Sequence, residues 1–251
     1  MLGCSGGEFP GHHLSGFLVE GRVLFDAGTL NHVLNEKRQL KIETIFITHS
    51  HMDHIREIPF LADNIIIGGW RRRVNIFSIR PVIQAIKDHL LNFKLWPDMT
   101  VLPNAHDAVI RLSAVKEGIP HVVRGFVVTP YKVNHSVPAV GYLVEDRRGR
   151  RFFYTGDTGP TDSTWQKVGG RNIHTLIVET SFPNRMEAVA RMMGHLTPAL
   201  LGKELLKIEN LPERICITHI KPQFYKTIQK ELTRLDFKNL YLLKEGEILE
   251  V

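Results

Sequence analysis

The sequence predicts a layered α/β (α+β) domain with mixed sheets, on three observations. The chain opens with an apolar hairpin pattern, short β-branched runs recur along it, and its second half alternates strand-like and helix-like segments. No Pro/Gly/Ser-rich linker and no repeat interrupts it, so one domain over residues 1–251 is expected.

The elements follow in order. Phe17-Leu18-Val19 and Val23-Leu24-Phe25 flank Glu20-Gly21-Arg22 as a hairpin, and Asp26-Ala27-Gly28 ends its second strand. A helix is expected over 30–37. Thr44-Ile45-Phe46-Ile47-Thr48 is an apolar β-branched run, the mark of a buried strand. Residues 79–93 carry helical spacing with Pro81 in the first turn, and 70–103 reads as an apolar helix behind a basic cluster. Strands are expected at 125–131, 139–145 and 151–154, the last two joined through Asp146-Arg147-Arg148-Gly149. A buried strand at 175–178 precedes a helix that Thr197 caps and Pro198 starts. A strand at 214–218, a helix near 224–235, and strands at 240–243 and 247–251 complete the prediction.

Composition narrows the function classes. With 43% hydrophobic and 23% charged residues, the chain has the makeup of a soluble globular protein, which excludes disordered and collagen-like architectures. No apolar run reaches the ~18–20 residues that span a bilayer, and no basic segment leads into an apolar core at the start, so a cytoplasmic protein without membrane partners is expected. Cys4 and Cys216 alone make no disulfide framework. A net charge of +6 suits an anionic substrate, though a solvated basic face satisfies it equally.

The strongest signal is Thr48-His49-Ser50-His51-Met52-Asp53-His54, directly after the buried strand at 44–48. In an extended segment His49 and His51 project to the same side, so both imidazoles can reach one cation. Asp53 and His54 stand where the chain turns into a helix and can face a second. Imidazole and carboxylate are ligand types that zinc and related divalent metals take. Further on, His135, Asp157 and His219 each follow a predicted strand. Taken singly, a histidine at a strand end or a Gly-Asp-Thr-Gly turn is ordinary; the order and placement together carry the weight.

The His-x-His-x-Asp-His loop after a strand resembles that of the metallo-β-lactamase superfamily, whose fold is an αββα sandwich of two mixed sheets flanked by helices. The resemblance implies that His49, His51 and His135 hold one metal ion, that Asp53, His54 and His219 hold a second, and that Asp157 bridges them. Two divalent cations are then the cofactors: zinc by preference, with manganese or iron also accommodated. The stretches Leu2-Gly3-Cys4-Ser5-Gly6-Gly7, Asn134-His135-Ser136-Val137-Pro138-Ala139-Val140-Gly141-Tyr142 and Val178-Glu179-Thr180-Ser181-Phe182-Pro183-Asn184 look like the phosphodiesterase branch, which includes class II cyclic-nucleotide phosphodiesterases and tRNase Z. Gly194-His195-Leu196-Thr197 matches the His-x-Thr motif of that branch. The match implies that His195 donates a proton to the leaving alkoxide with Glu179 as its partner, and that Asp53 helps orient water.

What the resemblance implies is hydrolysis of a 3′,5′-cyclic nucleotide or similar small phosphodiester by hydroxide generated between two metals. The runner-up is a tRNase Z-like endoribonuclease acting on RNA. The chain lacks a Gly/Pro-rich arm before His135 of the kind used to grip tRNA, which counts against it. An iron-dependent oxidoreductase of the same fold is a third reading, and a homodimer is implied by family analogy alone. The clusters Trp70-Arg71-Arg72-Arg73 and Arg147-Arg148-Gly149-Arg150-Arg151 read as solvated surface. His12 and His13 read as a plain loop, and His32, His89, His106, His121 and His174 as structural.

Overall fold

The structure, a computed structural model, describes residues 1–250. Two mixed sheets form its centre. The first has the order β1 (Phe17–Val19), β2 (Val23–Phe25), β3 (Thr44–Phe46), β4 (Val74–Ile79), β5 (Ile110–Val115). β1 and β2 pair antiparallel; β2 through β5 are parallel. The second contains β6 (His121–Val123), β7 (Phe126–Lys132), β8 (Val140–Glu145), β9 (Arg151–Tyr154), β10 (Thr175–Glu179), β11 (Arg214–Thr218) and β12 (Leu240–Leu242), adjacent in sequence order. Its first four strands are antiparallel and β9 to β12 parallel.

Side chains on the second sheet alternate between two apolar clusters, as the two-residue period of a strand buried on both faces requires. Tyr142, Val144, Phe152, Tyr154, Ile177 and Cys216 face the first sheet. There Phe25 and Phe46 meet Tyr142 with ring centroids 5.7 and 5.3 Å apart. Leu143, Phe153, Leu176, Val178, Ile215 and Ile217 face the other way.

That outer cluster is covered by three helices, α5 (Asp162–Val168), α7 (Pro198–Leu205) and α8 (Tyr225–Leu232), through residues such as Trp165, Leu201 and Ile228. Four shorter or peripheral helices occur earlier or between: α1 (Glu36–Gln39), α2 (Met52–Ile55), α3 (Ile58–Ile67) and α4 (Arg80–Ala85), with α6 (Glu187–Met193) after β10. Leu61, Ile65 and Val82 of α3 and α4 pack into the cluster of the first sheet. Helix, sheet, sheet, helix is the resulting order of layers. No helix is long and apolar enough to cross a membrane.

The predicted hairpin, the strands at 44–48, 125–131, 139–145, 151–154, 175–178 and 214–218, and the Thr197 cap are present; the Thr197 side chain accepts from Leu200 N. Four segments differ. Residues 31–34 form a turn, and the helix begins only at Glu36, where Asn35 accepts from Arg38 N and supplies the cap. Residues 70–103 are no single helix: Val74-Asn75-Ile76-Phe77-Ser78-Ile79 is strand β4, drawn into the sheet by parallel pairing on both sides. Helix α4 is short and ends in a single π turn, Ile86–Leu90. Residues 247–250 form no strand, and Val251 of that expected strand lies outside the described residues.

Candidate metal centre

Strands β3, β10 and β11 run parallel within their sheets, and their C-terminal ends open at one pole of the sandwich. The loop after β3 leads through His49 to α2, whose first turn carries Asp53 and His54. His135 follows β7, Asp157 follows β9, and His219 follows β11, at a left-handed backbone turn with φ 59°.

All seven side chains converge there. Nε2 of His49 and Nε2 of His135 each lie 3.1 Å from Nδ1 of His51. Nitrogens bound 2.0–2.1 Å from a tetrahedral zinc ion are spaced roughly 3.3 Å apart, so this triangle is the size of one coordination face. Beside it Asp53, His54, Asp157 and His219 form a second group whose donor atoms lie within 4.8 Å of one another. Asp157 Oδ2 is 3.4 Å from Nε2 of both His54 and His219, and 3.7 Å from Nε2 of His49, so the same oxygen borders both groups.

The donor chemistry fits divalent cations. Nε2 of His54 is fully buried and has no hydrogen-bond partner, a state that costs free energy unless another partner takes its lone pair. Burial disfavours a charged His54, yet Asp157, Asp26 and Asp53 together raise its pKa well above the usual value. Burial keeps His49, His51 and His135 below the usual imidazole pKa, in the neutral form that ligates metals. For Asp157 burial works the other way, but His219 and His54 hold it well below the carboxylate range; Asp53 is likewise lowered against burial, by His54 and His219.

A surrounding set of hydrogen bonds orients these rings, and most of it was not foreseen from the sequence. Asp26 Oδ2 accepts from His54 Nδ1 and from the Tyr154 hydroxyl, each at 2.7 Å. Its other oxygen accepts from Thr48 N at 2.8 Å. Since the Thr48 hydroxyl donates to Asp26 at 2.9 Å, it is left to accept from His49 Nδ1 at 3.0 Å. His135 Nδ1 donates to Gly194 O at 2.8 Å. Each bond fixes the proton on one ring nitrogen and frees the other.

His195 and Glu179 form the adjoining pair. Both are buried; Glu179 Oε1 accepts from His195 Nδ1 at 2.8 Å. Burial disfavours the imidazolium, but the Glu179 carboxylate, with Asp157, raises the His195 pKa. Ser181, to which the sequence analysis assigned no role, connects this pair to the cluster: its hydroxyl donates to Glu179 Oε2 at 2.9 Å and accepts from His219 Nδ1 at 2.9 Å. The His195 ring stacks on that of His219, with centroids 5.6 Å apart. Gly194 makes the approach feasible. Its φ is 72°, and a Cβ there would stand 2.8 Å from Cα of His135.

Of the histidines given structural or loop roles, His174 accepts from Arg151 N, and His32 lies between Glu57 and His13. Both cysteines are free and buried.

A family model described as the beta-lactamase superfamily domain matches residues 21–220. The chain is 27% identical over 209 residues to a probable 3′,5′-cyclic-nucleotide phosphodiesterase of Yersinia pestis, covering 73% of this chain and 58% of that protein. It thus spans less than two thirds of that relative's length. It is also 24% identical over 289 residues to a ribonuclease Z of Archaeoglobus fulgidus, covering 92% of this chain and 88% of the relative. Among solved structures, unliganded yeast PDE1 superimposes with a TM-score of 0.80 at 18% identity, over 98% of this chain and 96% of PDE1.

Proposed function

The chain belongs to the beta-lactamase superfamily, and from that premise we propose that it is a metal-dependent phosphodiesterase acting on 3′,5′-cyclic nucleotides or a similar small phosphodiester. In this reading a single domain over 1–251 holds two divalent ions, zinc by preference. His49, His51 and His135 take one, Asp53, His54 and His219 the other, and Asp157 both. The observation that carries the proposal is the position of Asp157 Oδ2 between the two ligand groups, with the His195–Glu179 pair beside them.

When bound, such a pair of ions acidifies water and neutralises charge on non-bridging phosphoryl oxygens. The remaining work falls to the chain's own residues. Glu179 holds the proton on Nδ1 of His195, which leaves Nε2 as the ring nitrogen able to carry a transferable proton. Against burial, Glu179 and Asp157 raise the His195 pKa, which favours the imidazolium, and its Nε2 proton can pass to the departing alkoxide, O3′ in a cyclic nucleotide. Asp26, Thr48 and Ser181 keep the ligand rings from rotating, so no reorganisation is needed as charge develops. The exclusion of solvent around His49 and His54, both fully buried, strengthens every charge interaction in the cluster.

The second reading is a tRNase Z-like endoribonuclease, favoured by the ribonuclease Z relative that matches the larger share of this chain. Incubating the zinc-loaded protein with cyclic AMP and, separately, with a 3′-extended tRNA precursor separates the two. Release of 5′-AMP without RNA cleavage is the expected result; cleavage of RNA alone overturns the first reading.

A further inference from the structure

Lys221 stands two residues beyond the ligand His219, and the metal centre does not use it. Its side chain turns back toward that centre. Nζ lies 5.3 Å from the centroid of the Phe182 ring. Phe182 is buried and in turn meets the His195 imidazole at a steep angle, 64°, with ring centroids 5.6 Å apart. One aromatic ring thus separates the ammonium from the histidine assigned to proton transfer. Burial and then the Glu179 and Asp157 carboxylates govern the His195 pKa, and after them Lys221 lowers it, which marks the two cations as electrostatic neighbours.

The ammonium is held in place without being neutralised. Nζ donates to Gly6 O at 3.0 Å, and no carboxylate lies within ion-pair distance of it among the described residues. Of its three N–H groups, one is therefore taken and two are left for a ligand. Gly6 is itself fixed against the centre: its N donates to Ile220 O at 3.0 Å, and a Cβ on it would stand 2.8 Å from His219 Nδ1. The carbonyl that anchors Lys221 is thus set relative to a ligand ring. Arg56, two residues after His54, differs, since Glu8 and Glu57 both pair with it. A half-buried cation without a counter-charge is costly, and an anion entering the site offsets that cost.

We propose that Lys221 is a substrate-binding residue, its ammonium holding the substrate's phosphate on the His195 side of the metal centre. The identity of that anion rests on the phosphodiesterase reading. A phosphodiester carries one negative charge shared by its non-bridging oxygens, and an ammonium binds phosphate as a point charge on a stem that can follow it. Lys221 keeps its proton throughout, and His195 alone supplies the proton for the alkoxide. The charge on the phosphate is already present in the bound substrate, so the contact acts on affinity more than on the chemical step.

Calorimetric titration of the zinc-loaded protein with inorganic phosphate, beside kinetics with cyclic AMP, tests it in Lys221→Gln and Lys221→Arg. Glutamine keeps a donor for Gly6 O without the charge, and arginine keeps the charge. Both variants should retain the zinc content of the wild type. Lys221→Gln should bind phosphate about tenfold more weakly, the loss of one charge-assisted hydrogen bond, and raise KM for cyclic AMP by a similar factor with a smaller change in kcat. Lys221→Arg should stay close to the wild type in both. If cyclic AMP is not hydrolysed by the wild type yet phosphate affinity still falls in Lys221→Gln alone, the phosphodiesterase reading fails and the anion-binding role of Lys221 stands. Unchanged phosphate affinity in Lys221→Gln, or an equal loss in Lys221→Arg, would overturn the proposal and leave Lys221 a packing partner of Phe182.

Discussion

Asp26 and His54 are joined by a 2.7 Å hydrogen bond in a fully buried setting, although one follows strand β2 and the other lies in helix α2. The carboxylate fixes the proton on Nδ1 and turns Nε2, which has no other partner, toward Asp157. Asp26 itself is held by Tyr154 and Thr48, so it acts as a positioning residue.

Replacing Asp26 with Asn should therefore loosen one ion without removing any ligand. Outer partners of this kind contribute about 10–100-fold in metal affinity. Competition with a chelator should show that loss for one of two ions, with the other retained. Unchanged affinity for both would remove Asp26 from this role.

Asp157→Ala and His195→Ala should separate binding from proton transfer. The first removes the oxygen that borders both groups, so metal content and turnover should fall together. The second should slow turnover by about 10²–10⁴-fold while both ions remain. Equal metal loss in the two variants contradicts this division of roles.

Glu179→Gln should alter the pH profile. Burial lowers and the Glu179 carboxylate more than restores the pKa of His195, so removing that charge lets the pKa fall. If protonated His195 is the proton donor, activity is lost as pH rises through its pKa. The alkaline limb of kcat should then move to lower pH in Glu179→Gln. A limb that stays in place assigns it to another group.

Gly194→Ala tests the close approach beneath His135. An alanine there must hold a left-handed backbone, costing roughly 1–2 kcal/mol, and also meet His135 Cα at 2.8 Å. Chemical denaturation should register at least that loss, with weaker metal retention because Gly194 O anchors the His135 ring. Wild-type stability would contradict the geometry.

The seven clustered residues were legible in the sequence because residues 49–54 resemble a known metal-ligand loop and because His135, Asp157 and His219 each follow a strand, whose end a parallel arrangement gathers at one pole. His49 to His54 also form one contiguous stretch running from the loop after β3 into the first turn of α2, which makes them visible without any long-range contact. Asp26, Thr48 and Ser181 were not assigned roles: their function depends on which distant ring faces them, and locally they read as a strand end and loop polar residues. Asp26-Ala27-Gly28, read as the end of a hairpin strand, held the one signal that could have been pursued, an aspartate leaving an apolar strand with no turn partner of its own. Strand β4 was missed for a related reason. Its Phe77 and Ile79 continue into the helical spacing of α4, and the pairing with β3 and β5 that makes it a strand is non-local.

Metal content joined to location tests the central claim most directly. Protein loaded with zinc, freed of excess by gel filtration, and analysed by elemental analysis and anomalous diffraction should contain two ions per chain. One should lie among His49, His51 and His135, the other among Asp53, His54 and His219, with Asp157 touching both. A single ion, or ions elsewhere in the fold, would contradict the account.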